Sequence, residues 1–391
     1  MARIISLADE ARSTPPNKRV QSKTQPRTPV SYSIITVPLF AIFISAYSLW
    51  KGLLSPPLGS FGKLLDMSPA LLRTQAGLPP QFGQSWDTVL PHPFDKLPYV
   101  THIIFKDVAE SRLALGLVVI LSTVATPWFT AALIESIKPR NSSHPGLSTF
   151  ILASLVGMSL MVGFVAPAVY VPLLSYRGWY QASISPTTIR PLPSPPVQQV
   201  LLVLASVLVS GLPIVLLFLI PPVWSKAFFW NVMTMPWLPV AWAGLFFIKQ
   251  PPAPSRSSQP RLAASNTYRW LAYATVPFWW YGLFRTLGPL REVWRSGKEF
   301  PSDASSLLFW DNVGLLVGAY AMVLVQAGID FQAVQCGGPR VHRARFFMED
   351  LVFGSTGTLL LGPGFGFAMY FARREVLAEK ARFGVAPVFA G

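Results

Sequence analysis

The sequence predicts an all-α fold, a polytopic membrane helix bundle of about eight transmembrane helices around an apolar cavity. Three observations predict it. Of 391 residues, 51% are hydrophobic and only 13% are charged, with a mean hydropathy of +0.43; a soluble domain is roughly a quarter charged. The apolar residues gather into runs of about 20, the length a helix needs to cross a hydrocarbon core of about 30 Å. Proline recurs inside those runs, at Pro127, Pro167, Pro213, Pro236 and Pro277 among others. Membrane helices tolerate such kinks when neighbours re-satisfy the freed carbonyls.

In chain order, residues 1–30 are polar and basic, with Arg12, Lys18, Arg19, Lys23 and Arg27 among prolines; a disordered cytosolic tail is expected. No apolar core with a small-residue cleavage site lies near Met1, so the first run, Ser31 to Trp50, is expected to be a signal anchor. The bundle is expected over 31–371. Its spans fall near 31–50, 113–134, 148–174, 198–220, 227–248, 268–290, 305–328 and 351–371, and Pro221-Pro222 makes a tight hairpin of the fourth and fifth. The long loop 51–112 carries apolar segments too short to cross, which are expected to lie at the interface or cap the bundle. Residues 372–391 read as a cytosolic C-terminal tail. Lys and Arg lean toward the N-terminal side once the long loop is set aside, which favours both termini in the cytosol. The Ser255 to Ser265 region then falls on the luminal side.

The formal charge of +15 does not signal nucleic acid. The basic residues flank apolar runs, where they suit anionic lipid headgroups, so the lipid bilayer is the expected partner. A single cysteine, Cys336, excludes an intramolecular disulfide and a cysteine-based metal cluster. No DDxxD, NxxxDxxxD or DxDD arrangement occurs, and such clustered carboxylates are what hold magnesium against a diphosphate. The four histidines are far apart, and no Walker A, GxGxxG or GxSxG motif is present. The chemistry expected is therefore free of metal and cofactor. No internal repeat of the kind that builds inverted-half transporters is visible.

Asp311 is the sharpest candidate. Asp303 is expected to N-cap the seventh span, which places Asp311 about 12 Å into the helix, near half the bilayer depth. At about 100° per residue Gly314, Leu315, Gly318 and Met322 share its face, and Gly314-x-x-x-Gly318 invites close packing. The carboxyl is then turned to the bundle interior, where burial disfavours the charged form and keeps a proton available. The alternative is a structural acid bonded to a neighbouring helix. Glu349 and Asp350 open the last span and read either as dipole caps or as reserve acids. Glu135, beside Lys138, reads as an interfacial charge. Arg285 either snorkels or partners Asp311 or a polar substrate head. Trp279, Trp280 and Trp310 lie within spans, where electron-rich faces would stabilise a cation or simply pack.

The basic tail, His92-Pro93-Phe94-Asp95, Phe309-Trp310-Asp311-Asn312, and Gly362-Pro363-Gly364 leading to Tyr370 and Arg373-Arg374-Glu375 together carry a resemblance. The chain resembles the fungal multi-spanning terpene cyclases of meroterpenoid biosynthesis, of the macrophorin and ascochlorin type. The resemblance implies an enzyme of the endoplasmic reticulum that cyclises the farnesyl chain of a prenylated, polyketide-derived small molecule by protonating an alkene or an epoxide. It supplies no catalytic residues; Asp311 as general acid, with Glu349 or Asp350 behind it, follows from the physical reading above. A transporter, a non-catalytic membrane subunit and, behind both, a prenyltransferase are the alternative readings.

Overall fold

A computed structural model describes residues 33–51, 63–64, 66–81, 95–138, 149–152, 162–184, 194–219, 262–297, 300–335 and 357–382. The expected basic tail, the fifth span, Cys336, Glu349 and Asp350 lie outside the described residues. Every described element is helical: α1 (Ser33–Leu49), α2 (Pro69–Ala76), α3 (Leu97–Glu110), α4 (Arg112–Ser136), α5 (Val162–Val165), which passes through a π-helical turn (Ala166–Tyr170) into α6 (Val171–Ile184), α7 (Val197–Leu219), α8 (Ala263–Ser296), α9 (Asp303–Gln335) and α10 (Pro363–Arg382). Two of them, Arg112–Ser136 and Asp303–Ile329 within α9, are long and apolar enough to cross a membrane.

Local chemistry sets the boundaries. Ser68 caps α2 by accepting the Leu71 N–H, and Gly77 ends it in the left-handed region at φ 72°. Ser111 adopts an extended conformation that ends α3, and its hydroxyl accepts the Ala114 N–H to start α4; two helices meet at a corner on one residue. The expected cap on α9 is one residue off: the Ser302 hydroxyl accepts the Ser305 N–H at 3.2 Å, leaving Asp303 in the first turn facing the helix dipole. Pro167 lies in the π-helical turn; having no N–H to give, proline suits a place where the regular ladder is interrupted.

α4 is the hub, and glycine lets its neighbours approach backbone to backbone. A Cβ on Gly116 would stand 2.7 Å from Thr286 and 3.2 Å from the Gly282 carbonyl, both on α8. A second such crossing joins α9 to α5, where a Cβ on Gly314 would stand 2.7 Å from the Gly163 carbonyl carbon. Around them Ala131, Leu174, Val203, Leu315, Met322 and Phe371 form the main core. The loop before α4 builds its own small core from Leu72, Ala76, Tyr99 and Val100.

Contacts fix helix directions, and these correct the simple alternation of eight spans. Alternation would set α4 parallel to α8 and antiparallel to α9. Instead Thr286 is level with Gly116, and Thr275 is near Gly364, which abuts Thr123; α8 is antiparallel to α4. Asn312 bonds Leu117 while Ala304 and Leu308 pack with Leu113 and Ala114; α9 is parallel to α4. The inversion arises at the third predicted span. Phe150 packs on Phe129, whereas Gly163 meets Asp311, near the other end of α4, and from there the chain returns beside α9, Gly178 reaching Ile329. The run 148–174 is thus no single crossing: Ser154, Gly157 and Ser159 stand singly among apolar residues, a pattern that does not mark a reversal. Ser33 and Arg382 lie at one end of the bundle, and α8 starts at that same end, so Leu262 is not opposite them.

The last helix is also displaced. Gly362, at φ 100°, separates helical residues 357–361 from α10, which runs to Arg382. The boundary expected at 371 falls in its middle. Glu375 and Glu379, assigned to a tail, are 0% and 2% exposed.

Candidate functional site

Asp311 is buried on α9. The Gly163 N–H donates to its Oδ1 at 2.5 Å, and Gly163 can do so because the α5–α9 crossing brings backbone to backbone: a Cβ there would stand 2.8 Å from the same oxygen. Gly314, Leu315, Gly318 and Met322 are all buried on this side. Among the described residues no cation pairs with Asp311. Asn312, turned about 100° from it, donates from Nδ2 to the carbonyls of Leu117 and Leu308 at 2.9 and 2.8 Å, fixing α9 on α4. Trp310, turned the other way, meets Tyr47 of α1 edge-on with ring centroids 5.4 Å apart. Phe309 extends the aromatic contact to Trp310 on one side and Phe300 on the other.

The other candidate residues do not join this group. Arg285 lies on α8, which packs on α4 along Gly116 and Ile120, a face about 100° around the helix from Leu117. Its Nε donates to the Tyr281 hydroxyl at 3.1 Å and its guanidinium lies over the same ring. Trp279 packs against Gly362, where a Cβ would stand 2.6 Å from its ring. Trp280 points outward, 44% exposed, with its ring tilted against Phe284. Adjacent residues on a helix diverge by about 100°, and here the two rings take separate neighbours. Glu349 and Asp350 lie outside the described residues.

A second polar group gathers at the far end of α4, about 27 Å along it from Leu117. Lys138 Nζ donates to Glu135 at 2.6 Å and to Glu375 of α10 at 2.5 Å. Arg374 adds a bond to Glu135 at 2.8 Å. The Ser194 hydroxyl donates to Glu375 and its N–H to Glu379 at 3.1 Å. Burial alone would lower the Lys138 pKa, but the carboxylates of Glu135 and Glu375 outweigh burial and the repulsion of Arg374, holding the ammonium above its ordinary 10.5. Sequence reading missed this network; the signal available was the density of charge in Arg373-Arg374-Glu375 directly after an apolar run.

His102 of α3 is also buried. Desolvation, then the nearby Lys106 charge, pushes its pKa down from 6.5 to about 4, so the ring is neutral. Among the described residues no group of three His, Cys, Asp or Glu side chains is placed to hold a metal ion. Comparison with known proteins gives no match to this chain, whether among family models, curated proteins or solved structures.

Proposed function

We propose that this chain is a membrane-embedded cyclase that folds and cyclises the farnesyl chain of a prenylated, polyketide-derived molecule, with Asp311 as proton donor. The observation that carries it is a buried carboxyl with no cationic partner among the described residues, one residue behind a row of aromatic rings. The Gly163 N–H steadies the oxygen that carries charge after the proton leaves.

The reaction balances without a co-reactant. The Asp311 proton forms a C–H bond with the terminal alkene, whose π electrons supply it, leaving a tertiary cation. On an epoxide substrate the proton goes to oxygen and the C–O bond breaks. The next alkene attacks the cation, forming the ring bond. Loss of a C–H proton to a base ends the sequence, and the net change is an isomerisation. Aromatic faces such as Trp310 and Tyr47 stabilise cationic charge and keep water from capturing it.

The bilayer as surroundings is supported by what the helices leave outside. Phe40 and Phe43 on α1, and Trp270, Phe284 and Trp294 on α8, are 60–75% exposed. Water penalises contiguous apolar surface of this kind, and lipid does not. We assign the crossing helices to the endoplasmic reticulum membrane with both termini on the cytosolic face.

The test uses microsomes containing the chain, given a farnesylated phenol and its terminal epoxide. Isomers that keep the substrate mass, formed equally in excess EDTA, are expected: from the alkene a ring with one olefin fewer, and from the epoxide a ring with a new hydroxyl and the olefin count unchanged. Strict magnesium dependence, or release of diphosphate from a prenyl donor, would replace this reading with a prenyltransferase. A second reading, a transporter, draws on the buried charges around Lys138; it predicts vesicle uptake of the substrate without a change in its structure.

A further inference from the structure

The aromatic row beside Asp311 has an open side. Trp50, just past the end of α1, and Tyr47 on α1 are 49% and 40% exposed, Trp310 and Phe309 on α9 are half-buried, and Asp311 behind them is 8% exposed. Each ring touches the next: Trp50 to Tyr47 at 5.9 Å, Tyr47 to Trp310 at 5.4 Å and Trp310 to Phe309 at 5.2 Å between centroids. Exposure thus falls stepwise from the outer surface to the acid along the seam between α1 and α9.

Beside the seam, on the side of α1 that faces α5, lies an unused polar group. Ser45 fixes α1 to α5 by donating to the Phe164 carbonyl at 2.9 Å. Ser48, one turn on and on the same side of α1, is 0% exposed, and its Oγ has no hydrogen-bond partner among the described residues. Leaving a buried hydroxyl unsatisfied is unfavourable, a cost that a ligand oxygen beside the seam would remove.

We propose that the α1–α9 seam is the lateral entry and binding site for an isoprenoid chain arriving from the lipid, with Tyr47 and Trp310 as the rings over which it folds and Ser48 donating to an oxygen on it. An epoxide or ring oxygen suits that hydroxyl. The inference rests on the cyclase reading for its substrate class but not for its location. Two other apolar surfaces are poorer sites. Among the described residues the outer face of α8 around Trp280 and Phe284 has no acid behind it. The cleft between α7 and α8, about 490 Å³ and lined by residues such as Leu201, Leu204 and Trp270, has Asn266 and Thr267 for polarity among the described residues.

The site is tested by photolabelling the full chain in phosphatidylcholine nanodiscs with a farnesylated phenol carrying a diazirine at the chain terminus. Adducts are expected in peptides holding Tyr47 and Trp310, competed by excess unlabelled farnesylated phenol, and reduced at least threefold by Tyr47→Ala. Ser48→Ala is expected to raise KM for the epoxide about fivefold, with kcat and protein abundance little changed. Adducts centred on Trp279 or Trp270, or spread over α1 and α8 without competition, would overturn the proposal. Seam labelling without any cyclised product would uphold the site and sink the cyclase reading; cyclised product with labelling elsewhere would do the reverse.

Discussion

Glu375 and Asp311 are both buried carboxylates, and their surroundings could hardly differ more. Glu375 accepts from the Lys138 ammonium and the Ser194 hydroxyl, in a group that also ties down Glu135, Arg374 and Glu379. Asp311 has a single backbone N–H on Oδ1. Those bonds hold the Glu375 carboxylate in place and fasten α10 to α4. Asp311 has no charged partner among the described residues, and the proposed reaction uses it as the donor. Burial alone therefore does not mark a reactive group; burial without a counter-charge does.

The largest effect expected from breaking this contrast is at Lys138. Lys138→Met takes away the ammonium that Glu135 and Glu375 share, leaving Arg374 on Glu135 and the Ser194 hydroxyl on Glu375, and removing one partner of a buried ion pair costs about 3–5 kcal/mol. Thermal unfolding in detergent should fall sharply and membrane accumulation with it, while the same substitution at exposed Lys63 should change neither. Next comes the crossing that supports Asp311. Gly314→Val drives a side chain into Gly163; overpacking of this kind costs about 1–3 kcal/mol, and turnover should drop beyond the loss of protein because the Gly163 N–H moves off the carboxyl. Trp310→Leu should be milder, removing about 0.5–2 kcal/mol of cation stabilisation and shifting product ratios more than abundance.

His102 adds a pH-dependent effect, and its sign follows from proton linkage. Its folded pKa, about 4, is below the unfolded value near 6.5, so between those limits the unfolded chain binds more protons. The stability it contributes is present above pH 6.5 and is lost as pH falls toward 4. A melting-temperature profile over that window should slope downward on acidification, and His102→Gln should flatten it.

Much of this architecture is legible in the sequence, for reasons that also show where reading stops. Hydropathy runs locate α4 and α9 to within a few residues because apolar length is a local property. The face shared by Asp311, Gly314 and Gly318 follows from helical spacing alone. The Lys138–Glu375 pair does not: its members are far apart in the chain, and a criterion based on run length stops at the first charges, cutting α10 in half. Helix direction fails for a related reason, since parity is carried through the whole chain and one unrecognised reversal near Gly163 inverts α8 and α9 together. The divergence of Trp279 from Trp280 was available from the 100° step between neighbours.

The helix directions have their own check. A glycosylation tag placed just ahead of Leu262 should behave like one at the C-terminus, both bare or both modified; opposite outcomes would restore simple alternation.

The central claim is that Asp311 is the proton donor, and Asp311→Asn tests it most directly. Asparagine keeps the size and can still accept the Gly163 N–H, but it removes the acidic proton. A positioned general acid contributes about 10²–10⁴-fold, so cyclisation of the farnesylated phenol should fall at least about a hundredfold while the variant accumulates and melts like the parent. An Asp311→Asn variant that cyclises at the parental rate per folded molecule would contradict the account and leave Asp311 a structural acid.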